Sequence, residues 1–174
     1  MPVAMTVIST ATLGSAAASY TFSSIPSTYT DLLIVAKVKG SNTNYGSVKM
    51  TLGTGGVLNS TTSKTQITLY GNNTSAGREI LTDLTMFDLC RASGISSDQW
   101  GIHRVRLNSY SNTSIHKNIF CRTNLVKGTG KGVEAIAGTW RNTGVVDTIK
   151  IESTATGNSF AAGSTFTIYG IRAA

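Results

Sequence analysis

The sequence predicts an all-β fold built from antiparallel strands. Three observations carry that expectation: apolar residues that alternate with polar ones, a surface supplied by hydroxyls rather than charges, and glycine or asparagine at the breaks. Among 174 residues there are 20 serines and 26 threonines, while only 13% are charged, against about 25% in an ordinary soluble domain. Hydroxyl side chains compete with helical hydrogen bonding, and β-branched ones suit strands. The length suits one domain over residues 1–174. An apolar share of 40% is enough for a packed core, which argues against disorder.

Along the chain, Met5 to Leu13 and Ala18 to Phe22 open the pattern, followed by Leu32 to Lys39 and Ser47 to Leu52. Thr65 to Tyr70, Glu79 to Leu89, Gly101 to Tyr110, Ile115 to Leu125 and Val133 to Trp140 form the middle strands. In Val145 to Glu152, period two puts Val145, Ile149 and Ile151 on one face and Lys150 and Glu152 on the other; Ser164 to Ile171 repeats it with Phe166 and Ile168 inward. Between the strands lie Gly40 to Asn44, Gly53 to Gly56, Gly71 to Asn73, Ser111-Asn112, Gly128 to Gly130 and Gly157-Asn158, where glycine accepts positive φ and asparagine tolerates it. A helical stripe through Leu81, Leu84, Phe87 and Leu89 is the alternative over Leu81 to Ala92, weakened by Thr82 and Thr85. About ten or eleven short strands without helical spacers indicate a sandwich or barrel, and the count fits a jelly roll of two packed sheets.

Several function classes fall away. No run approaches the ~18 apolar residues of a membrane helix; the best candidate, Leu32 to Ala36, stops at Lys37. The first charged side chain is Asp31, so the start lacks the basic region of a secretory signal and reads as a mature cytosolic product. Without such a signal, sequons such as Asn59-Ser60-Thr61 carry little meaning. Cys90 and Cys121 are too few for a disulfide scaffold and are expected as reduced, partly buried thiols, with one disulfide open if they face each other. His103 and His116 sit on separate strand patterns with no metal-ligand spacing, so neither a metal nor a cofactor is expected.

Catalysis finds no frame either. There is no nucleophile elbow, and the eight carboxylates share no motif. Gly128 to Gly132 lacks the spacing of a phosphate cradle and reads as a hairpin loop. No catalytic residue is assigned, and the chain is not expected to be an enzyme.

The charge is +7, from 15 Lys+Arg against 8 Asp+Glu, and it gathers mid-chain at Arg104, Arg106, Lys117, Arg122, Lys127 and Lys131. Alternation places Arg104 and Arg106 on one strand face, a basic stripe that attracts an acidic partner. Direct nucleic-acid binding would need aromatic interleaving, absent beyond Trp140-Arg141. Tyr29, Tyr45, Tyr70, Tyr110, Trp100 and Trp140 fall near strand ends or loops and suit the core or an interface more than a sugar platform.

Two stretches then matter together: Ala17 to Leu32, which runs through Tyr20-Thr21-Phe22 and Ile25-Pro26 into a strand, and the closing Phe160 to Ile171. With Ile115 to Ile119 and Gly138 to Thr143 they resemble the jelly-roll modules of tailed-bacteriophage virion proteins, found as tail-fibre tips and as small capsid decoration proteins. The resemblance implies a homotrimeric, non-enzymatic protein located in the virion, assembled in the bacterial cytoplasm, with no cofactor and no membrane. Tail-fibre tips usually follow a long attachment region, whereas here the module begins within a few residues of Met1. That favours a capsid decoration or cement protein bound to the major capsid protein or another virion protein. The alternatives are a tail-fibre tip that recognises a host-surface glycan and a carbohydrate-binding module outside any virion. Arg104, Arg106, Lys117 and Arg122 are the expected partner-binding residues.

Overall fold

The computed structural model describes residues 4–43, 46–71, 75–97, 99–127, 130–154 and 157–172. Within them the chain is all-β, with thirteen strands in two antiparallel sheets and no helix. In chain order these are β1 (Ala4–Thr12), β2 (Ser19–Phe22), β3 (Asp31–Val38), β4 (Gly46–Thr54), β5 (Val57–Leu58), β6 (Lys64–Gly71) and β7 (Ala76–Leu84). β8 (Phe87–Ile95), β9 (Gly101–Asn108), β10 (Lys117–Lys127), β11 (Gly130–Trp140), β12 (Thr148–Ser153) and β13 (Thr165–Arg172) follow.

The larger sheet has eight strands in the order β1-β13-β3-β9-β10-β11-β6-β7. The smaller runs β2-β12-β4, and the free side of β4 is shared: β8 pairs with Gly46 to Met50 and β5 with Gly53-Thr54. The core between the sheets comes from the alternation itself. Leu32, Ile34, Ala36 and Val38 of β3, Val105 and Leu107 of β9, and Phe166 and Ile168 of β13 are buried beside Val48, Met50 and Leu52 of β4 and Ile149 and Ile151 of β12. Apart from Ala36, each such side chain contributes about 1.5–3 kcal/mol of burial.

β8 also packs against β10, β11 and β6. Gln66 ties it down, because its side-chain amide donates to the Asp88 carbonyl (3.1 Å) while its Oε1 accepts from the Asp88 N–H (2.8 Å). Phe87 fills the space opposite Gly138, where a Cβ would stand 2.7 Å from the ring. Tyr110, just after β9, is buried with its hydroxyl donating to the Pro26 carbonyl and accepting from the Tyr29 N–H (3.3 Å).

The structure departs from the sequence reading in several places. Glu79 to Leu89 is neither one strand nor a helix, since β7 ends at Leu84, β8 starts at Phe87, and Asp83 takes φ 53° at the corner. β5 was not anticipated; it is two residues long and exists because Gly55 and Gly56, at φ 61° and 76°, close a hairpin onto β4. Val145 lies before β12, and it is Val146 that is fully buried. Ile115 is an exposed loop residue ahead of β10. β10 and β11 pair out to Lys127 opposite Gly130, with 128–129 outside the described residues.

Candidate docking face

Cα register assembles one row of residues on the outer face of the larger sheet. Arg106 stands opposite Phe120, Phe120 opposite Ala137, Ala137 opposite Ile67, and Ile67 opposite Ile80. The next row runs Arg104, Arg122, Ala135, Leu69 and Arg78. All these residues are exposed, and Phe120, Leu69 and Ile80 are each more than half open to solvent. An apolar strip across four strands is thus framed by arginines. Shallow grooves of about 510 Å³ beside Phe120 and Leu69 and about 350 Å³ beside Phe120 and Ile80 run over it.

Arg104 and Arg122 face each other across β9 and β10, so their like charges are held adjacent by register, an arrangement disfavoured on its own. Arg106 is partly neutralised, with Nη2 2.7 Å from Asp31 Oδ2. The other Asp31 oxygen accepts from the Ser109 N–H at 2.8 Å, holding the turn where Ser109 takes φ 51°.

Lys117 does not join this stripe. It starts β10 on the opposite face, fully buried, and its ammonium donates to the carbonyls of Asn112, Ile115 (3.3 Å) and Thr143 (3.1 Å). Trp140 lies between it and Lys64 in register, also fully buried. Lys64 repeats the device, donating to the Asn59 carbonyl (3.2 Å) and Asn59 Oδ1 (3.3 Å), with its Nζ 5.5 Å from the Trp140 ring. Burial lowers both lysines, Lys64 to about 8. These two cations pin loops instead of meeting a partner.

His103 and the two cysteines are interior. His103 is fully buried with Nδ1 2.9 Å from the Thr123 hydroxyl, and burial pulls its pKa down to about 4, opposed by the Leu89 backbone. Cys90 and Cys121 are free and buried; desolvation raises Cys121 to about 12 and Cys90 well above its ordinary value. His116 is exposed in the loop before β10. Among the described residues no group of three or more His, Cys, Asp or Glu could hold a metal ion, and no helix is long and apolar enough to cross a membrane.

Of the aromatic residues the sequence singled out, Trp140 and Tyr110 are core, and Tyr29 lies against Gly170 beneath Arg172. Tyr45 falls outside the described residues. Trp100 is exposed, with the ammonium groups of Lys37 and Lys39 at 4.9 and 5.1 Å from its ring. The apolar strip was missed by sequence reasoning. Its signal was present in β10, where Ile119 and Cys121 occupy one parity and Phe120 the other, so both faces of one strand carry apolar side chains.

No family model, no curated protein and no solved structure matches this chain. Its class is therefore the one its own geometry defines, an all-β, two-sheet sandwich-like protein.

Proposed function

We propose that this chain is a structural protein of the tailed-bacteriophage virion, a homotrimeric capsid decoration protein with a jelly-roll core, which seats the outer face of its larger sheet on an acidic region of the head shell. Support for the jelly roll lies in strand order. β1-β13-β3-β9 stacked on β2-β12-β4-β8 uses eight strands in the interleaved sequence of two Greek keys, and β10, β11, β6 and β7 extend the first sheet.

The observation that carries the docking role is the arginine-framed apolar strip. Exposed apolar patches on soluble proteins mark interaction sites, and arginine with aromatic residues is the composition that interface centres favour. Arg104 and Arg122 supply attraction to carboxylates and bidentate hydrogen bonds, while Phe120, Leu69, Ile67 and Ile80 supply area to bury. The chain is built to adhere, not to transform a molecule.

The test is co-sedimentation of purified protein with heads and with tails of the phage that encodes it, in low and high salt. Stoichiometric copies on heads, released as salt rises and absent for the R104E/R122E double variant, are expected. Tails that carry the protein while heads lack it would reject the assignment. Trp100 with Lys37 and Lys39 favours a second reading, a tail-fibre tip holding an acidic host glycan; binding of purified host polysaccharide, lost in Trp100→Ala, is what that reading requires.

A further inference from the structure

The outer face of the larger sheet is divided by charge. Its β9 to β7 half carries Arg104, Arg106, Arg122 and Arg78, whereas β1 and β13 present Met5, Val7 and Tyr169 with threonines, Arg172 closing β13 opposite Ala4, and β3 beside them carries Leu33 and Val35 together with Asp31 and Lys37. β1 is the free edge on this side, and it has no charged residue from Ala4 to Thr12. Its first four residues, Ala4 to Val7, are exposed on both parities, and Met5 and Val7 are 57% and 55% exposed. The opposite edge, β7, carries Arg78, Glu79 and Asp83.

Natural sheets protect a free edge with charge, proline or a bulge, because its unpaired backbone groups recruit another strand. β7 has the charges. β1 has only the shift in register between Val7 and Ser9, which leaves the outer edge of Ala4 to Val7 ahead of it unprotected. An uncharged apolar edge of this kind persists when something covers it.

We infer that β1 is the self-association surface of this chain, the occupant being the β1 region of a second copy. The reason is symmetry. Near a rotation axis every side chain meets its own counterpart, so a charged patch repels itself while an apolar, uncharged one gains burial. Of the two free edges of the larger sheet, only β1 itself satisfies that condition. The arginine half fails it, and among the described residues little acidic surface on a second copy complements it: Asp31, Asp83 and Glu152 pair with Arg106, Arg141 and Lys150, Asp147 accepts from the Gly56 N–H, Asp88 and Glu134 are buried, and Glu79 is half-buried on β7. One sheet thus offers like-with-like contact at one end and an acidic foreign surface at the other. The inference rests on the virion reading only for the number of copies.

The experiment is sedimentation velocity on the purified full chain, with no capsid present, for wild type, M5E/V7E and the control V57E on the β4–β5 hairpin. Wild type and V57E are expected to sediment as oligomers, and M5E/V7E as the 18.3 kDa monomer with an unchanged far-ultraviolet circular dichroism spectrum. A second arm is oxidative cross-linking of Met5→Cys. The native thiols are buried, so covalent dimers are expected from M5C and none from V57C. A folded M5E/V7E that keeps the wild-type mass, an M5C that gives no dimer, or a wild type that is monomeric would overturn the inference. Loss of head binding with self-association intact would fault the virion reading alone.

Discussion

Acidification should unfold this protein partly through one residue, His103. Its ring is fully buried beside Thr123, and the folded state holds its pKa at about 4 against 6.5 for an exposed histidine. Between those values the unfolded chain binds a proton that the folded chain refuses, so the stability owed to the neutral ring is complete above pH 6.5 and is lost as pH falls toward 4. At 1.36 kcal/mol per unit, a separation of about 2.5 units corresponds to about 3 kcal/mol. Carboxylates titrate over part of this range, so the measurement is a difference. Urea unfolding of wild type and of His103→Gln, which keeps a polar partner for Thr123, is compared at pH 7.5, 5.5 and 4. At pH 7.5 wild type should be the more stable. The gap should shrink by about 3 kcal/mol by pH 4 and then stay level. A gap independent of pH would refute the claim that burial keeps this ring neutral.

Three further outcomes follow from packing. Gly138→Ala would place a methyl 2.7 Å from the Phe87 ring and 3.1 Å from the Thr65 carbonyl, so a loss of about 1–3 kcal/mol is expected from overpacking, and an unchanged urea midpoint would contradict it. Tyr110→Phe removes the donor to the Pro26 carbonyl and the acceptor for the Tyr29 N–H; it should cost about 1–3 kcal/mol, checked by thermal melting with wild-type melting as the contrary result. Because desolvation raises both thiols, a disulfide reagent at pH 8 should titrate no cysteine in the native protein and both in denaturant. Rapid native reaction would mean that the interior opens.

The alternation in Leu32 to Lys39, Ser47 to Leu52 and Ser164 to Ile171 determined by itself that these segments are strands and which of their residues face inward, because a period of two leaves a side chain only two directions. Gly53 to Gly56 likewise determined its own turn, since two consecutive positive φ values are easy only for glycine. Arg104 and Arg106 were legible as a stripe for the same reason, being two residues apart on one strand.

Lys117 was not legible. Its fate depends on loop carbonyls at Asn112, Ile115 and Thr143 that close over it only when β10 and β11 are paired. The partners of Arg122 were hidden too, because pairing β9 with β10 and β11 with β6 joins residues up to 76 positions apart, and no local pattern encodes that register. The sequence alone determined most of the strands, their inward faces and the neutrality of β1. Tertiary pairing decided which apolar residues came together uncovered, since the register across β10, β11, β6 and β7 gathers Phe120, Ala137, Ile67 and Ile80 on the outer face while β8 packs on the inner one.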